Sequence, residues 1–253
     1  MAKWVERFIL EKLRDQGSIH MTLLDPENTG PEECSRIALE AERGGTAAIM
    51  VGGSTVASNS VLDDVVKSIK ASVKVPVILF PNNVSGVSKY ADAIWFMSLL
   101  NSSNPYYIID VQALTARTIK QYGIEIISMG YIIVGEGGAA GFIGQARAIA
   151  YDHPELALGY GLAAESLGMH FVYLEAGSGA KQPVPLEMVK LVKGNLSIPL
   201  IIGGGIRDGE TARRIVQAGA DIVVTGTIVE EAERVREKIQ EIVKGTINNR
   251  HTG

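Results

Sequence analysis

The sequence predicts an α/β fold, a single (β/α)8 barrel of the TIM type, on three observations. Eight short apolar runs, rich in branched residues, alternate with longer segments of helical period, as a parallel sheet buried on both faces requires. The 253 residues are the usual length of one such barrel. No G-x-G-x-x-G follows the first run, which counts against the rival arrangement, an open doubly wound sheet.

The elements follow in order. A helix is expected over about residues 3–15, because Trp4-Val5-Glu6-Arg7-Phe8-Ile9-Leu10 mixes charged and apolar residues at helical spacing. The same mixture lacks the uninterrupted apolar stretch of a signal peptide. Strands are predicted at Ile19–Leu24, Ala47–Val51, Val77–Phe80, Ala93–Ser98, Ile124–Val134, Phe171–Leu174, Leu200–Ile202 and Ile222–Val224. Start signals and periodicity predict helices at Pro31–Arg43, Ser58–Ser72, Tyr107–Tyr122, Gln145–Gly168 (broken near Pro154), Leu186–Val192, Asp208–Ala218 and Glu230–Lys244. One helix is missing from this series. Only 12 residues, Pro81 through Asp92, separate the third and fourth runs, too few for two loops and a full helix. Extended chain is expected there instead, with a thinner barrel wall. The chain reads as one domain over 1–253, ending in a polar, frayed tail at about 248–253.

Composition removes several function classes. A net charge of −4 gives no basic footprint for nucleic acid. Cys34 is the one cysteine, so an intrachain disulfide and a thiolate metal cluster are excluded, and a reducing cytoplasm is the expected location. No apolar run approaches the ~18 residues of a membrane span. A lipid substrate would be met from the water side.

In such barrels the chemistry lies at the carboxyl ends of the strands. Gly203-Gly204-Gly205-Ile206-Arg207 after the seventh run and Thr225-Gly226-Thr227 after the eighth are glycine-rich turns that let backbone N–H groups approach an anion. A following helix N-terminus would add partial positive charge. Gly204, Gly205, Gly226 and Thr227, joined by Ser178 and Gly179 from the sixth strand, are the expected phosphate donors. Glycine also simply makes tight turns, and Gly203 taken alone could be that. Two adjacent strands agreeing favours phosphate.

Two acids stand at strand ends. Asp25 could cap the helix beginning near Pro31, or it could ligate Mg²⁺ together with the Ser54 hydroxyl, since a diphosphate would supply the remaining oxygens. Glu175 follows an apolar strand and precedes the phosphate loop, a position suited to a general base; the alternative is a salt bridge.

Tyr173-Leu174-Glu175-Ala176-Gly177-Ser178-Gly179, with Ile202-Gly203-Gly204-Gly205-Ile206-Arg207 and Thr225-Gly226-Thr227, resembles the geranylgeranylglyceryl phosphate synthase family. Thr22-Leu23-Leu24-Asp25-Pro26, Val51-Gly52-Gly53-Ser54 and Met129-Gly130-Tyr131-Ile132-Ile133 fit it in the same order, so the likeness runs from about Ile19 to Val229. It implies a Mg²⁺-dependent prenyltransferase that joins the geranylgeranyl group of geranylgeranyl diphosphate to the C3 hydroxyl of sn-glycerol 1-phosphate. The product would carry the first ether bond of archaeal-type membrane lipids. By position, Asp25 and Ser54 would hold Mg²⁺. Tyr173, Leu174, Glu175, Ala176, Gly177, Ser178 and Gly179, with Gly204, Gly205, Gly226 and Thr227, would hold glycerol phosphate. Glu175 would take the hydroxyl proton, with Tyr173 beside it at the catalytic centre. The family also lacks the third barrel helix. Its bacterial members often carry Lys two residues before the aspartate, where this chain has Leu23, which favours the archaeal type.

The prenyl tail calls for an apolar trough, and Val56, Phe80, Ile94, Phe96, Leu99 and Tyr131 are expected to line it; Trp95, Phe96 and Leu100 are the candidates to close its far end. Ordinary barrel core is the alternative for each. Three rival functions remain: a synthase of different chain length, a phosphosugar isomerase using Glu136 as second acid, and a phosphate-binding barrel without catalysis. An aldolase would need a strand lysine, and the predicted strands have none. Tyr151, Leu156, Leu158, Tyr160 and Leu162 offer more apolar surface than one barrel face needs, so a homo-oligomer is expected.

Overall fold

The computed structural model describes residues 4–27, 29–53 and 59–247. Eight parallel strands close into a barrel in sequence order: β1 (Ile19–Leu24), β2 (Ala48–Val51), β3 (Val77–Leu79), β4 (Ala93–Leu99), β5 (Glu125–Ile133), β6 (Phe171–Glu175), β7 (Leu200–Gly203) and β8 (Ile222–Thr225). Each predicted run contains a strand, and β8 pairs back with β1 through Ile19↔Ile222 and Thr22↔Thr225. The coat comprises α2 (Pro31–Gly44), α3 (Asn59–Ser72), α4 (Val111–Tyr122), α5 (Gly138–Ile143), α6 (Pro154–Ser166), α7 (Leu186–Lys193), α8 (Gly209–Gln217), α9 (Thr227–Glu230) and α10 (Val235–Thr246), preceded by α1 (Trp4–Gln16).

The pleat sorts strand side chains into two populations. Ile19, Met21, Trp95, Phe171, Ile201 and Val224 fill the barrel interior, while Val172, Leu174, Ile202 and Val223 pack outward beneath the helices. α1 closes the amino-terminal end of the barrel: its Val5 and Ile9 join the interior cluster, and the Glu125 carboxylate accepts from the Val5 and Glu6 amides at 2.8 and 2.9 Å. The open end is therefore the carboxyl end of the strands.

The structure departs from the expected helices at four places, one of them α5, for which no helix was expected. The predicted helix at Gln145–Gly168 is formed only from Pro154. Upstream, Ile149 makes a bridge to Val134 and Arg147 donates its amide to the Asn101 carbonyl at 2.8 Å, so this stretch satisfies its backbone as an edge segment. The expected helix at Glu230–Lys244 is two pieces, because α9 stops after one turn and α10 begins at Val235. The helix expected from Tyr107 opens with a π turn, Tyr106–Asp110, before α4. The missing third helix is as predicted, with no helix between Leu79 and Ala93. Ser54, Val56 and the tail at 248–253 lie outside the described residues.

Candidate active site

One cavity of about 1000 Å³ opens at the carboxyl end of the barrel, at the upper end of the usual range for ligand pockets. Asp25, Gly53, Tyr131, Tyr173, Glu175, Ser178, Gly179, Gly204, Gly205, Gly226 and Thr227 all line it.

Glu175 ends β6 and is 6% exposed. Its Oε1 accepts the Gly177 amide at 2.6 Å. Burial raises its pKa above the ordinary carboxylate range. The Gly177 amide and the nearby hydroxyls of Tyr173 and Tyr131 oppose that rise by stabilising the charged form. Both tyrosines are held well above the usual phenol range, by burial first and by the Glu175 charge second, so both stay protonated beside it. The buried Tyr173 hydroxyl is not in regular hydrogen-bond geometry with any partner, although it is near enough to influence Glu175. The two rings meet edge to face at 5.2 Å, a consequence of the register Tyr131↔Tyr173.

The glycines after β7 answer to this carboxylate. Any Cβ on Gly203 would strike the Tyr173 hydroxyl, so this glycine does more than make a turn. Gly204 has φ +83°, and a Cβ there would stand 2.6 Å from Glu175 Oε1. Across the mouth the Ser178 and Thr227 hydroxyls are 2.9 Å apart, joining the β6 and β8 loops. The turn after β8 leads into α9, whose single turn gives little of the helix-terminal charge expected there. Leu174 and Ala176 point into the core under the helices, and neither they nor Gly177 line the cavity. These three can serve glycerol phosphate only through their backbone, and the Gly177 amide is already engaged by Glu175.

Asp25 does not cap α2, whose N-cap is Gly30, with no side-chain cap. Its Oδ1 accepts the Glu27 amide at 3.0 Å, and a Cβ on Gly53 would collide with the carboxylate. The group is half-buried at the cavity wall, with its pKa raised by burial first. No group of three or more His, Cys, Asp or Glu suited to a metal occurs among the described residues. A lone hard carboxylate fits a cation such as Mg²⁺ that takes most of its oxygens from a phosphorylated substrate and water.

The cavity continues away from these acids. Ile94, Phe96, Val87 and, from α4, Ile119 form an apolar trench beside the helix-free segment between β3 and β4. Phe80, expected in that trench, instead lines the cavity from the inward cluster, its ring 5.6 and 5.7 Å from those of Tyr131 and Tyr173. Ile94 and Phe96 face outward from the barrel, whereas Trp95 faces inward and stacks edge-on against Phe171 at 5.1 Å. Leu99 lines the cavity. Leu100 does not; it approaches Gly130 under the helices. Tyr131 stands at Glu175 rather than far along the trench. Glu136 is exposed and off the cavity, which removes the second acid of the isomerase reading. Arg207, to which the motif gave no role, is the one cation among the described residues lining the cavity.

The PcrB family matches residues 10–246. A geranylgeranylglyceryl phosphate synthase of Thermofilum pendens is 54% identical over 96% of this chain and 94% of its own. That of Methanothermobacter thermautotrophicus is 53% identical over 95% and 98%. The crystal structure of (S)-3-O-geranylgeranylglyceryl phosphate synthase from Thermoplasma acidophilum, in complex with its substrate sn-glycerol-1-phosphate, superposes with a TM-score of 0.93 at 44% identity, covering 98% of this chain and 99% of that one.

Proposed function

This chain belongs to the PcrB family, and from that premise we propose that it is a geranylgeranylglyceryl phosphate synthase. It transfers the geranylgeranyl group of geranylgeranyl diphosphate to the C3 hydroxyl of sn-glycerol 1-phosphate. The observation that carries the reading is a single cavity with a buried carboxylate beside glycine-rich turns at one end and an apolar trench at the other. Two substrates of opposite character need such a shape.

Glycerol phosphate takes the end formed by Ser178, Gly179, Gly204, Gly205, Gly226 and Thr227, where backbone amides and hydroxyls can surround the phosphate. Arg207 adds the one cationic side chain in that wall. The glycerol C3 hydroxyl then lies toward Glu175, with the tyrosine pair behind the carboxylate. The allylic C–O bond of the diphosphate breaks, the hydroxyl oxygen bonds to the freed carbon, and Glu175 accepts the hydroxyl proton. Because that carbon gains cationic character as the bond breaks, holding the oxygen in line matters more than strengthening it as a nucleophile. By the family likeness Asp25 and Ser54, the latter outside the described residues, would hold Mg²⁺ for the diphosphate. Bound there, the metal would supply Lewis-acid stabilisation of the departing diphosphate's charge.

The tail occupies the trench, where each buried CH₂ contributes roughly 0.8 kcal/mol. The enzyme acts from the cytoplasm, and among the described residues no helix is long and apolar enough to cross a membrane. Exposed Leu156 and Leu162 on α6 suit self-association into a homo-oligomer, which sedimentation would read directly. The function itself is tested with purified protein, labelled glycerol 1-phosphate and prenyl diphosphates of graded length. Formation of a labelled prenyl ether, greatest with the geranylgeranyl donor, is expected. Consumption of glycerol phosphate without prenyl transfer would defeat the reading.

A further inference from the structure

A buried polar network lies on the outer side of β1, where the neighbouring positions Ile19 and Met21 face inward. His20, 1% exposed, has Nδ1 3.1 Å from the Thr46 hydroxyl and Nε2 2.8 Å from the Thr225 hydroxyl. Thr22 Oγ1 donates to Thr46 Oγ1 at 3.1 Å. Thr46 Oγ1 also stands 3.3 Å from the carbonyls of His20 and Ala48.

Counting protons fixes the direction of this chain. Carbonyls only accept, so Thr46 gives its one hydroxyl proton to them and accepts from Thr22 and from His20 Nδ1–H. A neutral imidazole then has Nε2 left as an acceptor, and the Thr225 hydroxyl must donate to it. Burial keeps the ring neutral, with its pKa lowered to about 3. Thr225 is thus held in one orientation, and it ends β8 immediately before Gly226 and Thr227.

We propose that His20 is a positioning residue for glycerol phosphate, acting through Thr225 to fix the end of β8 and the Gly226–Thr227 donors. Two residues further along the chain, the Thr227 hydroxyl pairs with that of Ser178, so the end of β8 is held on one side by β1 and on the other by the β6 loop. Of the network only Thr225 lines the cavity, and it is not among the trench residues, so the prenyl substrate should not sense it. This inference rests on the function proposed above.

Thr225→Val keeps the side-chain shape and removes the proton offered to Nε2. Calorimetry with glycerol 1-phosphate alone should show affinity falling about tenfold, as expected when a buried acceptor loses its partner. KM for the prenyl diphosphate should stay within about twofold, and Thr225→Ser should restore glycerol phosphate affinity. If Thr225→Val does not fold, His20→Gln is read the same way. Nitrogen-15 NMR of the wild-type ring should show the neutral form protonated at Nδ1. A variant less stable yet unchanged in glycerol phosphate affinity, equal losses for both substrates, or a ring protonated at Nε2 would each overturn the proposal. Failure of the wild-type protein to bind glycerol phosphate would instead defeat the functional reading.

Discussion

Glu175 shows how a catalytic group differs from a structural one. Its pKa is raised chiefly by burial, so ionising it costs the folded state free energy that an exposed carboxylate would not cost. With the folded pKa above the unfolded value, stability from this group is present at low pH and is lost as pH rises through the folded pKa. Glu175→Gln should therefore raise Tm at neutral pH, with the gain fading below the unfolded carboxylate range. The same variant should lower turnover at least ~10²-fold, the low end for loss of a general base, while glycerol phosphate affinity changes little. Near wild-type turnover would remove Glu175 from the mechanism. Asp25 is expected to act on the other substrate: Asp25→Asn should weaken use of the prenyl diphosphate, and EDTA should abolish transfer while leaving glycerol phosphate binding intact. Full activity in EDTA would contradict the metal assignment. Both acids were legible in the sequence, since each follows an apolar run at a strand end. Tyr173 was placed beside Glu175 by the family likeness, but Tyr131 was expected in the trough, because it joins Tyr173 only through the pairing of β5 with β6.

The segment between β3 and β4 sets the character of the apolar trench. Its shortness was readable directly from the spacing of two apolar runs. The facing of β4 was not. Ala-Ile-Trp-Phe-Met is apolar at every position, and alternation carries no information when both faces of a strand are buried. The structure separates the three candidates for limiting tail length. Trp95 touches the cavity only from the interior cluster, where it is fully buried and truncation to Ala would cost about 3–5 kcal/mol of stability. Leu100 lies off the cavity, and Phe96 projects into the trench. Phe96→Ala should therefore admit a longer prenyl diphosphate, read as a shift in relative kcat/KM along a length series, with glycerol phosphate affinity unchanged. An unaltered length preference would place the limit elsewhere. The misread helix at Gln145–Gly168 has a related cause: the segment is broadly apolar, and its bridge to Val134 exists only once β5 is in place.

At the scale of the whole molecule, the barrel separates stability from chemistry. α1 and the interior around Trp95 and Phe171 close and fill the amino-terminal end, while the opposite end gathers side chains from strands far apart in sequence. Closure brings Asp25 on the loop after β1 into the same cavity as Glu175, although 150 positions separate them in the chain. Neither substrate could be held by a local segment. The central claim is that this shared cavity joins the glycerol hydroxyl to the prenyl carbon, and isotope tracing tests it most directly. Glycerol 1-phosphate carrying oxygen-18 in the C3 hydroxyl would be converted with geranylgeranyl diphosphate, and the product cleaved and weighed by mass spectrometry. The label is expected in the ether bridge, with unlabelled diphosphate released; a labelled free hydroxyl, with the prenyl group on a phosphate oxygen, would contradict the account.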